Sequence, residues 1–302
     1  MTATGTEGGD QAILPEAPAP ARRRAWWRAL LRDRAAAPAM LLLAAIVLAA
    51  ILAPWIAPHD PSANSRAVMQ PPAWTERGTW EYLLGTDSQG RDILSRVLYG
   101  TRLTLLIGLV AVGIGGIVGS ALGLLSAMYR RIDPWIMRLN DMMLSFPAIL
   151  LGLALVAVAG TGVLPVIVAL GIASIPDCAR IARSIGIGVM GQEYIEAGRA
   201  VGLSDLAIFR RYLLRNSISS IMIFLSLRFG QIILIGAALS FLGLGAQAPA
   251  SELGMMAAQG RDTLLFAPHI ATIPSVVIFV IVLCANITGD ALRDVLDPRL
   301  QT

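Results

Sequence analysis

Glu193-Tyr194-Ile195-Glu196-Ala197-Gly198-Arg199-Ala200-Val201-Gly202-Leu203-Ser204-Asp205, continuing as Leu206-Ala207-Ile208-Phe209-Arg210-Arg211-Tyr212-Leu213-Leu214-Arg215-Asn216, is the stretch that decides how this chain is read. The sequence on either side is long and apolar, whereas this segment is amphipathic, charged and too short to cross a bilayer. Ile195, Ala197, Ala200 and Val201 recur at helical spacing and give one apolar side, with Glu193, Glu196 and Arg199 interspersed. Gly202 stands where a glycine ends a helix, because it accepts positive φ without strain. Ser204 then offers an N-cap hydroxyl, with Asp205 in the favourable first turn. The spacing predicts two short helices joined across Gly202 to Ser204. A pair of interfacial helices tiling the headgroup region has the same pattern.

The composition is that of a polytopic membrane protein: 302 residues, 56% hydrophobic, 15% charged, with a mean hydropathy of +0.68. All 24 basic residues are arginine. A Walker A phosphate loop needs a lysine on the β- and γ-phosphates, so that kind of ATPase is excluded from this chain. If ATP drives its function, another polypeptide hydrolyses it. Cys178 and Cys284 lie in apolar surroundings far apart and read as small core residues.

Residues 1–34 read as a disordered tail ending in a basic run, Arg22 to Arg34, interleaved with Trp26 and Trp27. Such a run before a span is a cytoplasmic anchor near anionic lipid rather than a nucleic-acid patch. Residues 35–58 form an uncleaved first span and 59–102 a polar external segment. A membrane core covers 103–292, with a loop at 184–216, and 293–302 are cytoplasmic. Within the core, spans are expected at 103–129, near 139–160 and 163–182 (broken at Gly160-Thr161-Gly162), and near 217–241 and 268–290, with 246–267 outside. Asp177 and Arg180, spaced i,i+3, are expected to neutralise each other. Gly115, Gly119 and Gly123 recur every four residues and predict close helix packing. Six spans with basic ends place both termini inside.

The opening stretch resembles the EAA loop of binding-protein-dependent ABC importer permeases, with Glu196, Ala197, Gly202 and Leu214 on the pattern. Gly198 replaces its second Ala, Tyr212 stands at its Ile, and Arg215 replaces its Pro. Four further segments are similar to the C-type subunit of dipeptide, oligopeptide and nickel systems. They are Leu84 to Asp92 with Arg96 and Arg102; Asp133 to Pro147; Leu239 to Gly245; and Asn286 to Arg299. Leu253 and Gly236 depart from that pattern, where Trp and an acidic residue are frequent. The resemblance implies an all-α protein with six transmembrane helices, the type I ABC importer permease fold, in a prokaryotic plasma (inner) membrane. It implies a homologous second permease, two cytoplasmic ATPase subunits and an external solute-binding protein as partners. It assigns coupling to Glu193, Glu196, Ala197, Gly198, Gly202 and Leu214, and peptides as cargo, with nickel or another small solute as the alternative.

No covalent chemistry, cofactor or metal site is expected. Asp87, Gln89 and Asp92 lack the spacing of a calcium loop, and only His59 and His269 exist. Gly85, Gly90, Arg91 and Arg96 instead predict turns and ion pairs capping the outer face, and Asp290, Arg293 and Asp294 a cap on the last span. Arg228 is different. It lies about 18 Å along a helix from Asn216, near mid-membrane, where an arginine costs about 2.5–3.5 kcal/mol. It must face the bundle or a water-filled path. A membrane scaffold and an ion-coupled secondary transporter are the rival classes; the latter wants inverted repeats, and none is convincing.

Overall fold

The computed structural model describes residues 33–247 and 249–296. The tail, the basic run up to Arg32 and the Asp297-Pro298-Arg299 end of the last motif lie outside them. Nine helices cover most of the described chain: α1 (Ala36–Ile51), α2 (Ile93–Met128), α3 (Asp133–Leu144), α4 (Ala148–Ala159), α5 (Val163–Met190), α6 (Glu193–Ala200), α7 (Asp205–Phe241), α8 (Leu253–Gly260) and α9 (His269–Leu296). α1 is extended by the single turn Ala53–Ile56. Among the described residues there is no strand, only an isolated Thr86–Asp92 pairing.

Four helices (α2, α5, α7 and α9) are long and apolar enough to cross a membrane, and the pair α3–α4 makes a fifth if counted as one span. α1, at 16 residues, is a shorter apolar helix of about 24 Å. The expected six spans thus correspond to four regular helices, one broken pair and one short helix.

The α3–α4 pair corrects the expected straight span at 139–160, because the two helices meet at 88°. Two causes act together. Pro147 biases Phe146 away from helical φ/ψ, and α3 is amphipathic. Its polar side binds α5: Arg183 donates to Asp133 from Nε at 2.6 Å and Nη2 at 2.7 Å, and Arg180 donates to Asp141 at 2.7 Å. Trp135, Leu139 and Met142 remain exposed on its other side. The expected Asp177–Arg180 pair therefore does not form. Arg180 turns to α3, while Asp177 turns to Arg228 of α7 at 2.7 Å. α5 also runs on to Met190, eight residues past the expected end.

α2 and α5 lie against each other along the glycine stripe. A Cβ on Gly119 would meet the Ile175 carbonyl and Cys178 Cβ at 2.6 Å, and one on Gly115 would meet the Gly171 carbonyl at 3.0 Å. Lipid tails are as apolar as the side chains, so such association depends on close fit rather than on the hydrophobic effect. Both cysteines are buried and free.

The 246–267 segment, for which no helix was expected, contains α8 and packs on the bundle. Glu252 caps α8, accepting from Gly254 N and Met255 N at 2.9 Å, and its Oε1 also accepts from Thr104 of α2 at 3.1 Å. Leu253 and Met256 join Ile93, Ile233 and Ile281 in one apolar cluster. Periodicity misses so short a helix because eight residues, buried on most sides and interrupted by Gly254, show no one apolar face.

The glycine stripe gives a direct test. Gly119→Ala should push α2 from α5 and lower stability by about 1–3 kcal/mol, the usual penalty for overpacking. Gly113→Ala, where an added Cβ meets nothing within 4 Å, should be neutral. Thermal unfolding of both variants in detergent checks this; equal midpoints would contradict it.

Candidate functional site

The opening stretch forms an elbow at one end of the bundle. α6 ends in a Schellman motif: Leu203 N donates to Gly198 O at 3.1 Å and Gly202 N to Arg199 O at 3.0 Å. Gly202 supplies the required left-handed residue at φ +81°. Leu203 closes over Gly198, with Cδ1 3.3 Å from where a Cβ would stand. Ser204 then caps α7, its Oγ accepting from Ala207 N at 3.4 Å.

The elbow is held from inside. Ile195, Ile208 and Leu213 are fully buried, and Leu213 packs with Leu124 and Met128 of α2 and Ala182 of α5. Asn216 donates to Tyr212 O at 2.8 Å and Tyr194 Oη at 3.4 Å, and the two tyrosine rings lie 5.6 Å apart. The expected apolar side is only partly the buried one. Ile195 and Gly198 face the bundle, but Ala197, Ala200 and Val201 are exposed. Val201 is 78% and Leu206 74% exposed, and Glu193, Glu196 and Arg199 of the same elbow are exposed too. Leu214, 37% exposed, sits on the first full α-turns of α7. The helix tolerates Arg215 there without a break: residues Phe209–Leu213 form a π turn that runs straight into the rest of α7. A proline at 215 has no N–H and would interrupt it.

Arg228 lies far from the elbow, mid-way along α7. Its Nη2 donates to Asp177 Oδ2 at 2.7 Å and its Nη1 to Gln231 Oε1 at 2.8 Å. Its Nε is buried without a partner. Arg228 stands alone in an apolar run and needs a partner, but Asp177 has Arg180 three residues on. Local i,i+3 spacing concealed the longer pairing.

The far end is closed by the 84–102 motif. Asp87 Oδ2 accepts from Arg91 Nε at 2.7 Å and also from Arg96 Nη1, while both arginines donate to Gln259 of α8, at 3.3 and 3.2 Å. Burial pushes the Asp87 carboxyl up, but the Arg91 N–H and the Arg96 charge outweigh it and hold it below the usual carboxylate range. This is the expected set of turns and ion pairs, with Gly85 and Gly90 at positive φ. Asp290, Arg293 and Asp294, by contrast, form no ion pair with one another. Among the described residues no group of three or more metal-ligating side chains occurs.

An architecture of this kind has counterparts. The chain matches the family "Binding-protein-dependent transport system inner membrane component" over residues 119–302 and "N-terminal TM domain of oligopeptide transport permease C" over residues 22–72. It is 40% identical to the di/tripeptide transport system permease protein DppC of Pseudomonas aeruginosa, covering 93% of this chain and 94% of that one. It is 41% identical to the glutathione transport system permease protein GsiD of Pectobacterium atrosepticum, over 92% of each. Its fold is that of the MetNI methionine ABC transporter in an inward-facing form (TM-score 0.58, 20% identity, 68% of this chain and 98% of that one). The elbow, the glycine-packed spans and these likenesses together make the chain a member of the binding-protein-dependent transport system inner membrane components, a permease subunit of an ABC importer and not itself an enzyme.

Proposed function

We propose that this permease carries peptides, as the names of its di/tripeptide and glutathione relatives suggest, and that the elbow couples it to ATP hydrolysis. It would pair with a homologous second permease, two cytoplasmic ATPase subunits and an external solute-binding protein. The elbow end would face the cytoplasm, and the Asp87–Arg91–Arg96 end would receive the binding protein. A thiol placed at Ser88 should then react from outside and a tag at Thr302 only from inside.

The observation that carries the coupling role is the elbow's exposed face. Val201 and Leu206 lie open beside Glu193, Glu196, Ala197 and Arg199, on a turn whose inner side is locked by Ile195, Ile208 and Leu213. Large apolar side chains exposed on the same short elbow as charged ones fit a protein partner better than a lipid headgroup. Gly198 and Gly202 shape the turn, Leu214 continues it into α7, and the acidic residues meet the ATPase. ATP-driven closure of the ATPase pair would push this face, and the packed spans would transmit the push as a rigid body.

Two variants test it in proteoliposomes holding all subunits. Gly202→Val forces a β-branched residue to φ +81°, at about 1–2 kcal/mol of local strain. Glu196→Lys inverts a contact charge. Both should insert normally yet lose at least tenfold in uptake, with hydrolysis no longer stimulated by liganded binding protein. Wild-type uptake with normally stimulated hydrolysis in both would contradict the role.

A further inference from the structure

Arg228 and Asp177 lie just beyond the residues that line an open groove, which the elbow does not explain. The groove runs between α5 and α7 from Gln192, Tyr194 and Asn216 up past Ser184 and Ser220 to Ile181 and Leu227, and Arg293 of α9 also lines it. Ile181 is one helical turn from Asp177, and Leu227 adjoins Arg228. Its volume is about 760 Å³, within the range of small-molecule sites. Hydroxyl and amide groups recur along a wall that in a lipid-facing helix pair would be wholly apolar.

The ion pair is not sealed in the bundle as a purely structural bridge would be. The Asp177 side chain is 35% exposed against 15% for Arg228. Only Oδ2 of Asp177 is bonded to the arginine, and Arg228 keeps one buried N–H, that of Nε, without any partner. Gln231 holds the guanidinium from its other side at 2.8 Å, so the arginine stays placed when the carboxylate swings away. A buried charge left unpaired is costly. A ligand bearing both an ammonium and a carboxylate avoids that cost, because each partner of the broken pair receives a new one.

We infer that Asp177 and Arg228 form a transient site for zwitterionic cargo at the head of this groove: Asp177 takes the ammonium of a short peptide and Arg228 its carboxylate. The inference rests on the peptide reading above and adds to it where in the membrane the cargo is recognised and by which charges. Two or three residues span at most about 7 or 10 Å, so the pair must part for the cargo and close behind it. An empty site is then neutral, which suits a group of charges near mid-membrane.

The test uses the complete transporter in proteoliposomes and three probes: Ala-Ala-Ala, Ala-Lys-Ala and Ala-Glu-Ala. Each variant's uptake is divided by wild-type uptake of the same probe, which cancels capture by the unchanged binding protein. Asp177→Asn leaves a net positive site and should depress Ala-Lys-Ala at least fivefold more than Ala-Glu-Ala. Arg228→Gln leaves a net negative one and should show the opposite bias. An equal loss for all three probes in both variants would mean that the pair only braces α5 against α7, and would overturn the site while leaving the peptide reading intact. Wild-type failure to carry any of the three would overturn both. Should either single variant fail to assemble, Ile181→Cys keeps the pair. Saturating Ala-Ala-Ala should slow its modification by a small charged thiol reagent at least threefold, and no protection would overturn the inference.

Discussion

An unbroken ladder of backbone hydrogen bonds from Asp205 to Phe241 is the constraint on which the rest of the structure depends. It makes α7 a single helix of 37 residues, about 55 Å long, that begins inside the elbow and ends beside α8 at the opposite end of the bundle. The π turn at Phe209–Leu213 absorbs one extra residue within the continuous helix. Arg215 keeps the ladder whole where proline would open it. Whatever pushes Leu206 is thereby in mechanical contact with Arg228 and, further on, with Ala237 against α8.

A rod transmits force only if it is seated. The seat is the α2–α5 pair, whose glycine stripe brings two backbones close enough for Leu213 to be buried by both helices at once. In hydrocarbon such fit replaces the hydrophobic effect as the source of association. Ion pairs at three levels, Asp133–Arg183, Asp177–Arg228 and Asp87–Arg96, then fasten α3, α7 and the segment before α2 to the same core. Two of these bridge distant parts of the sequence within the bundle. The third ties the polar segment before α2 to the helix that follows it.

Much of this was legible in the residues. Gly202 and Ser204 announced the turn because only particular φ values and cap geometries suit that spacing. Gly115, Gly119 and Gly123 announced a packing face, and the lone Arg228 a buried partner. What could not be read was long-range. Asp177 has an arginine three residues away and another 51 away, and only the direction of side chains in space decides between them. The bend before Pro147 depends on Asp133 and Asp141 finding Arg183 and Arg180. α8 is an eight-residue helix whose burial comes from α2, α7 and α9 rather than from its own pattern. The elbow's apolar residues divided between two surfaces for a similar reason: Ile195 and Gly198 fit the bundle, and Val201 does not reach it.

The claim that α7 carries the elbow's motion as a rigid rod is measurable directly. Spin labels at Leu206 and Leu234, exposed positions 28 residues apart, should lie about 42 Å from each other along the helix. Pulsed electron paramagnetic resonance on the assembled, transport-competent complex, without nucleotide and trapped with it, compares that distance between states. A narrow distribution unchanged to within about 2 Å, in liposomes whose uptake shows that the cycle runs, is the result a continuous helix predicts. A shortened or broadened distribution in one state would show that α7 bends at its π turn, and would contradict the account.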